Sequence, residues 1–322
     1  MTQELPTPAQ PLKIGTRGSP LALAQAHETR ARLMAAFDLP EAAFEVVVIR
    51  TTGDDRAMIA ADRPLKEIGN KGLFTREIEE QLLSGGIDIA VHSMKDMPTE
   101  QPAGLVLDCY LPREDVRDVF IAPGAAGLAD LAPGTVVGTS SLRRRAQLLN
   151  RRPDLSVVEF RGNLQTRLKK LDDGVAAATF LAMAGLNRMG MSDVPMTPMS
   201  PDEMLPAVAQ GAIGIERRSI DARVAAMLSA IHDAPTATRL AAERSFLATL
   251  DGSCETPIAA LAELSDDQLR LRGEILSPDG SASWADEISG PATQAAELGR
   301  ALARSLLDRA GPEFFAWRDP QG

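Results

Sequence analysis

Residues 135–181 read TVVGTSSLRRRAQLLNRRPDLSVVEFRGNLQTRLKKLDDGVAAATFL, and their pattern decides the fold. Three apolar runs, Thr135–Val137, Leu155–Phe160 and Ala177–Leu181, have strand length and strand composition. Between them lie stretches of helical length, at about 141–150 and 164–171. Strands alternating with helices at this spacing predict α/β units around a mostly parallel sheet. Two of these strands end in polar residues: Gly138-Thr139-Ser140-Ser141 after the first, Arg161-Gly162-Asn163 after the second. In open α/β sheets, ligands bind beyond the carboxyl ends of the strands.

The same window is unusually basic. From Arg143 to Arg167 it holds seven Arg against Asp154 and Glu159, a local charge of +5, so the remainder of the −10 chain carries −15. Segregated charge repels itself, and an anionic ligand is a reason to tolerate it. All these cations are Arg, whose planar fork pairs bidentately with carboxylate or phosphate. The expectation is a pocket for a small molecule with several acidic groups; a solvated basic helix face is the plainer alternative. Three consecutive Arg cannot all face one side of a helix, so at least one of Arg143–Arg145 should point away. Arg145, Arg151 and Arg152 are the ones expected in solvent.

Outward from this segment the alternation continues. Leu12–Thr16 and Phe44–Arg50 read as strands, and Ser19-Pro20 opens a helix as N-cap followed by proline. Lys71–Ser84 reads as a helix ended by Gly85-Gly86, Ile87–His92 as an apolar strand, and Val116–Ile121 as another. A helix is expected at 183–189, a connection at Met191–Pro206, a strand at Gln210–Glu216, and helices near 219–230 and 236–250. After that the style changes to strands at Ile258–Leu264, Gln268–Leu276 and Ser281–Ile288 with short turns, then a helix at about 291–310: a small α+β domain. Residues 1–11 read as a disordered tail.

Bulk properties exclude several function classes. At 322 residues with 44% hydrophobic content, the chain can bury a core without disulfides or metal. Its two cysteines, Cys109 and Cys254, form no CxxC, which argues against a disulfide scaffold and a Cys-rich zinc site. His27, His92 and His232 are too scattered to suggest a metal site, and no metal is expected. The acidic balance disfavours nucleic acid, and no apolar stretch reaches membrane-spanning length. The first residues carry no secretory or transit pattern, so a cytoplasmic protein is expected. Motifs for a phosphate loop, a dinucleotide fold, a zinc protease and a serine hydrolase are missing.

Two further strand ends carry donors. Thr16-Arg17-Gly18-Ser19 opens a helix, where backbone N–H groups make an anion site. His92-Ser93-Met94-Lys95-Asp96 follows the Ile87–Val91 strand. Arg17, Lys95, Arg143, Arg144, Arg161 and Arg167 would together neutralise several carboxylates. Asp96, among cations, could stabilise a cationic intermediate or shuttle a proton; a helix cap or a loop salt bridge accounts for it equally. Cys254, in LDGSCETP, lies in a loop and is either a reactive thiol or an accident, whereas Cys109, in LVLDCY, reads as buried and inert.

The chain closely resembles the porphobilinogen deaminase (hydroxymethylbilane synthase) family. The matching stretches are GTRGSPLALAQA at 15–26, GNKGLFTREIE at 69–79, DIAVHSMKDMP at 88–98 and VGTSSLRRRAQL at 137–148. RPDLSVVEFRGNLQTRLKKLD at 152–172, LAMAGLNRMG at 181–190, LPAVAQGAIGIE at 205–216 and LDGSCETPIA at 250–259 complete the set in the same order. The resemblance implies a transferase that joins four porphobilinogen molecules head to tail, releasing ammonia each time, and then hydrolyses off hydroxymethylbilane. It implies a dipyrromethane cofactor held by a thioether to Cys254. It gives Asp96 the catalytic role, assisting loss of the aminomethyl nitrogen and steadying the resulting azafulvenium cation. Lys95, Ser93, Ser141, Arg143, Arg144 and Gly185 match cofactor-side positions. Arg17, Ser19, Arg161, Arg167, Arg188, Gln210 and Phe74 match substrate-side positions, with Gln210 close to a hinge.

The resemblance also implies a fold: two periplasmic-binding-protein-like α/β lobes plus a small C-terminal α+β domain. Lobe 1 would take residues 12–111 with 211–230, lobe 2 residues 112–210, and the third domain residues 231–322. The expected partner is porphobilinogen alone, with no nucleic acid and no membrane, acting on a monomer. Ser253 stands where many members have Gly, and Ala177-Ala178 replaces a stretch that often begins with Asp. A non-catalytic two-lobed receptor for a polycarboxylate is the alternative; it explains the strand-end donors but neither Cys254 nor Asp96. A nucleic-acid module using the Arg helix is a third, disfavoured by the acidic balance.

Overall fold

The structure, a computed structural model, describes residues 4–51, 75–250, 256–312 and 314. In chain order its elements run β1 Leu12–Arg17, α1 Pro20–Phe37, β2 Phe44–Ile49, α2 Arg76–Leu83, β3 Ile89–Ser93, β4 Leu105–Tyr110 and β5 Asp118–Ile121. Then follow β6 Val136–Gly138, α3 Leu142–Arg151, β7 Ser156–Val158, α4 Leu164–Asp172, β8 Ala178–Ala182, α5 Met183–Arg188 and β9 Thr197–Pro198. The last are β10 Ile213–Arg218, α6 Ala222–Ser229, α7 Ala234–Thr249, β11 Ile258–Ser265, β12 Gln268–Leu276, β13 Ser283–Pro291 and α8 Ala295–Ala310. They fall into two compact units. One takes Met1–Asp115, Ala184–Ser192 and Gly211–Ala237; the other takes Val116–Met183, Asp193–Gln210 and Thr238–Gly322.

The first unit is built on a five-stranded sheet in the order β2-β1-β3-β10-β4. β1 runs parallel to β2 and β3, while β10 is antiparallel to β3 and β4. Because β1 and β3 are parallel, their carboxyl ends, Arg17 and Ser93, lie at the same edge of the sheet. Helix α1 starts where the sequence predicts: the Ser19 side chain accepts from the Ala22 N–H at 3.2 Å, and Pro20 opens the first turn. It buries Gln25, Ala26, Thr29 and Leu33, a single helical face. Of these, Ala26 and Leu33 share a core cluster with Leu12, Ile14, Phe44, Ile89 and Val91.

The second unit repeats the plan. Its sheet runs β7-β6-β8-β5-β9, with β6 parallel to β7 and β8, and β5 antiparallel to β8 and β9. Phe120, Val137, Leu148, Leu155, Ala178 and Phe180 form its core. The same unit carries the antiparallel sheet β11-β12-β13. Helices α7 and α8 approach backbone to backbone: a Cβ on Gly299 would clash with the Ala242 carbonyl. The α/β halves and the C-terminal change to α+β agree with the sequence reading.

Several expectations need correction. Each α/β sheet is mixed, not simply parallel, because β10 and β5 enter directly after the chain passes from the other unit, and no helical crossover sets their direction. The strand Leu105–Tyr110 was not anticipated. Residues 4–11, expected as a disordered tail, hold a tight turn with reciprocal Thr7–Gln10 backbone hydrogen bonds of 3.1 and 3.0 Å. The connection at 191–206 includes Thr197–Pro198, which adds an edge strand to β5. The expected helix at 71–84 is described from Arg76; residues 71–74 lie outside the described residues. Among the described residues, no helix is long and apolar enough to cross a membrane, and no cluster of His, Cys, Asp or Glu is placed to hold a metal ion.

Candidate active site

In the first unit the carboxyl ends of β1 and β3 shape a polar hollow. Arg17, Ser19, Gln25, Thr75, His92, Ser93 and Asp96 line it, with Leu21, Ala22, Val91 and Met97. Asp96 sits on a single 3-10 turn, Met94–Asp96, immediately after β3, and its side chain is exposed while Met94 is buried. The turn thus anchors on an apolar residue and presents an acid. Lys95, half-buried, shares it. Gln25, buried on α1, hydrogen-bonds the Ser93 hydroxyl at 2.8 Å and fixes that rim. Beneath the rim, His92 Nε2 lies 3.0 Å from the Glu216 carboxylate, and both side chains are buried.

In the second unit the arginines meet an acid that the basic window does not contain. Asp118, fully buried at the start of β5, faces Arg143 at 2.7 Å and Arg144 at 2.8 Å. Arg143 also donates to the Leu205 carbonyl and Arg144 to the Phe180 carbonyl, each at 2.8 Å. Gln210 donates to Asp118 and to the Val116 carbonyl, both at 2.8 Å. Burial alone would raise the Asp118 carboxyl; the two guanidiniums outweigh it and hold it well below the usual carboxylate range. Ser141 caps α3 by accepting from the Arg144 N–H at 3.4 Å. Beyond β7, Arg161 is buried, and Arg167 turns back onto the Gly162 carbonyl at 2.9 Å.

A family model for "Porphobilinogen deaminase, dipyromethane cofactor binding domain" matches residues 12–226, and one for "Porphobilinogen deaminase, C-terminal domain" matches residues 237–308. The chain belongs to the porphobilinogen deaminase family. A porphobilinogen deaminase of Paracoccus denitrificans is 66% identical over 317 residues, covering 98% of this chain and 100% of that one. One from Nitrobacter hamburgensis is 53% identical, covering 94% of each chain. A chloroplastic porphobilinogen deaminase of Oryza sativa is 52% identical, covering 94% of this chain and 85% of that one. Among solved structures, the periplasmic VFT2 domain of Bordetella pertussis BvgS aligns with a TM-score of 0.41 at 14% identity, covering 68% of this chain and 86% of that one.

Set beside the deaminase expectation, the candidate residues divide. Arg17, Ser19, Ser93 and Asp96 come together in one hollow. Arg143, Arg144 and Gln210 come together on Asp118. Gly185 is buried on α5, and Arg188 lies on the same helix with its guanidinium 3.2 Å from Glu28 and 3.0 Å from the Gly211 carbonyl. Cys254 and Phe74 lie outside the described residues. Arg152, expected in solvent, binds Asp154 and the Leu128 and Leu131 carbonyls. Of the Arg triplet, Arg145 is the one that remains partly exposed.

The donor set suits an acceptor-rich cofactor of the kind this family binds. Two guanidiniums share one carboxylate at Asp118, which leaves a net positive charge. The Nε groups of Arg143, Arg144 and Arg145 are buried with no hydrogen-bond partner among the described residues. Sequence reasoning missed Asp118, Glu216 and the use of His92. A signal existed for Asp118, since an acid directly before the apolar run Val119–Ile121 is costly to bury unless paired.

Proposed function

We propose that this chain acts as a hydroxymethylbilane synthase: four porphobilinogen molecules are condensed head to tail with loss of ammonia, and the linear tetrapyrrole is released by hydrolysis. The family match over residues 12–226 and 237–308 carries this reading. In it, the working unit is a single chain in the cytoplasm.

When bound through the Cys254 sulfur, the dipyrromethane group supplies the pyrrole carbon to which the first unit is joined. The protein's own residues do the rest. Arg17 and Ser19, with the N–H groups at the start of α1, receive carboxylate arms; Lys95 and Ser93 hold others at the end of β3. Ser141, Arg161 and Arg167 offer the same chemistry on the second unit, and Arg188, Gly185 and Phe74 complete the proposed binding set. Arg143 and Arg144 contribute as fixed cations, oriented by Asp118 and backbone carbonyls, with Gln210 bracing the acid. Asp96 places a carboxylate where positive charge develops as the aminomethyl nitrogen leaves, and such preorganised charge is usually a large part of catalysis.

Intact mass tests this directly. Wild-type protein should exceed its sequence mass by two coupled porphobilinogen units, unchanged by thiol reductants, and Cys254→Ser should show the bare mass. Asp96→Asn should keep the added mass yet lose turnover by roughly 10²-fold. An unmodified wild type with full activity excludes the covalent cofactor, and near-normal rates in Asp96→Asn remove that carboxylate from the chemistry.

A further inference from the structure

The pair His92–Glu216 has no part in the scheme above, yet His92 lines the same hollow as Asp96. His92 is 6% exposed and Glu216 is 0% exposed, so the pair is held almost out of water. Its placement follows from the sheet. His92 on β3 lies opposite Gly214 on β10, and Glu216 is two residues further on, on the same face. Among the described residues, the 3.0 Å bond from Nε2 to Glu216 is the one side-chain hydrogen bond His92 makes. A carboxylate on one imidazole nitrogen fixes the ring's orientation and leaves the other nitrogen to accept a proton, the logic of an acid-oriented histidine base.

Each condensation needs two things of the protein. The aminomethyl arm reacts from its protonated form: the C–N bond breaks, the electron pair stays on nitrogen, neutral ammonia departs, and a negative charge must face the cation left behind. The α-carbon of the acceptor ring then supplies the electron pair for the new C–C bond, and its C–H bond must break to restore the aromatic ring. A neutral imidazole on the wall of the same hollow can take that proton while the Asp96 carboxylate keeps its charge. We infer that His92, oriented by Glu216, is the base that removes this α-proton, while Asp96 stays the electrostatic partner. After the C–C bond has formed, His92 passes this proton to water or to the ammonia already released, so one protonated aminomethyl arm and one C–H give the new C–C bond, ammonia and a proton, and atoms and charge balance without any oxidant or reductant.

The charged groups around the imidazole are consistent with this division. Glu216 faces it from β10 and Glu79 from α2, while Arg17 and Asp96 share the wall of the hollow and Lys95 precedes Asp96. Burial pushes the Glu79 carboxyl up, and Glu216 adds to that, as expected for two acids crowded near one imidazole. The inference rests on the proposed condensation.

The experiment compares wild type, His92→Gln and Glu216→Gln as cofactor-loaded full chains, using porphobilinogen with hydrogen or deuterium at its unsubstituted α-carbon. Expected are unchanged intact masses, a kcat lower by about 10²-fold in His92→Gln, and a deuterium isotope effect clearly larger than in wild type. Glu216→Gln keeps the hydrogen-bonding shape but loses the charge; it should lower kcat less and displace the acid limb of the kcat profile, with KM little altered. Equal isotope effects and superimposable pH profiles in all three proteins overturn the inference, even if rates fall. Should His92→Gln not fold, Glu216→Gln alone decides, and an unmoved pH profile is then the adverse result. A wild type that makes no tetrapyrrole sinks the proposed function instead.

Discussion

Asp118 is where the electrostatics of this chain are decided. Two buried guanidiniums depend on it, and the other terminal nitrogen of each donates to a backbone carbonyl, that of Leu205 for Arg143 and that of Phe180 for Arg144. Removing one partner of a buried pair leaves uncompensated charge in a place water does not reach, at a cost of about 3–5 kcal/mol. Asp118→Asn should therefore lower unfolding stability by about that amount in denaturant titrations at neutral pH. The pH dependence has a definite direction. The folded carboxyl sits below its unfolded value of about 3.9, so its contribution is complete above that value and fades as pH falls toward the folded one. The gap between wild type and Asp118→Asn should stay constant from pH 7 to about 5 and shrink in stronger acid; a gap that widens on acidification would contradict the pairing. The basic window read from residues 143–167 is thus only partly a ligand feature. Its first two cations are answered by an acid some twenty-five residues upstream, and that contact exists only because β5 lies beside β8. Local charge counting cannot see such a partner.

Among elements, helix α3 bears the most. Its N-cap Ser141, its buried Arg143 and Arg144, and Gln147, which both donates to and accepts from the backbone of Leu205, fix it within the second unit. Its other end is gripped by the turn between β12 and β13. Gly280 there has φ +75°, and a Cβ would meet the Ala146 carbonyl at 2.6 Å and the Asn150 N–H nitrogen at 2.7 Å. Asn150 donates back to the Gly280 carbonyl at 2.9 Å. Ser281 and Ser277 bind Asp279, whose carboxyl is pulled down to about 2 chiefly by the Ser281 backbone N–H. Gly280→Ala combines a left-handed backbone with a backbone clash, so it should destabilise by about 2 kcal/mol or more, seen as a lower Tm. An unchanged Tm would mean the turn does not seat on α3. Most elements were legible from local pattern: α1 from its Ser-Pro cap, β6 to β8 from β-branched runs, and the C-terminal strands from Pro-Asp-Gly. β4 was not, because Asp108 breaks the apolar look of LVLDCY; pairing with β10, a hundred residues away, makes it a strand. Cys109 is buried, as its sequence context implies, and burial pushes its thiol up to about 12.

For the whole molecule, the informative fact is that each unit is assembled from three stretches of chain. A strand-and-helix pattern is local, and it gave no hint that the chain passes repeatedly between units. The C-terminal segment reads as a small α+β domain, and β11–β13 form such a sheet with α8, within the compact unit that also holds β5 to β9. Ala259 and Leu261 of β11 share a buried cluster with Leu205 and Val116. Glu243 of α7, fully buried, accepts from the Ala209 N–H at 2.7 Å and the Ala262 N–H at 2.8 Å. Ala209 has φ +60°, a left-handed conformation that costs a non-glycine residue about 1–2 kcal/mol. The Glu243 carboxylate is what holds the chain in that shape, and hydrogen bonds to a buried charge contribute about 1.5–3 kcal/mol each. A chain ending at residue 237 would lose Glu243, β11 and half of that cluster together. It should therefore fail to form the second unit, and hydrogen exchange should find the amides of Val137 and Phe180 unprotected while those of Ile14 and Val91 in the first unit keep some protection. Protection of all four at the full-chain level would show instead that the last eighty-five residues are an independent module, and that Glu243 merely decorates a turn the rest of the chain already specifies.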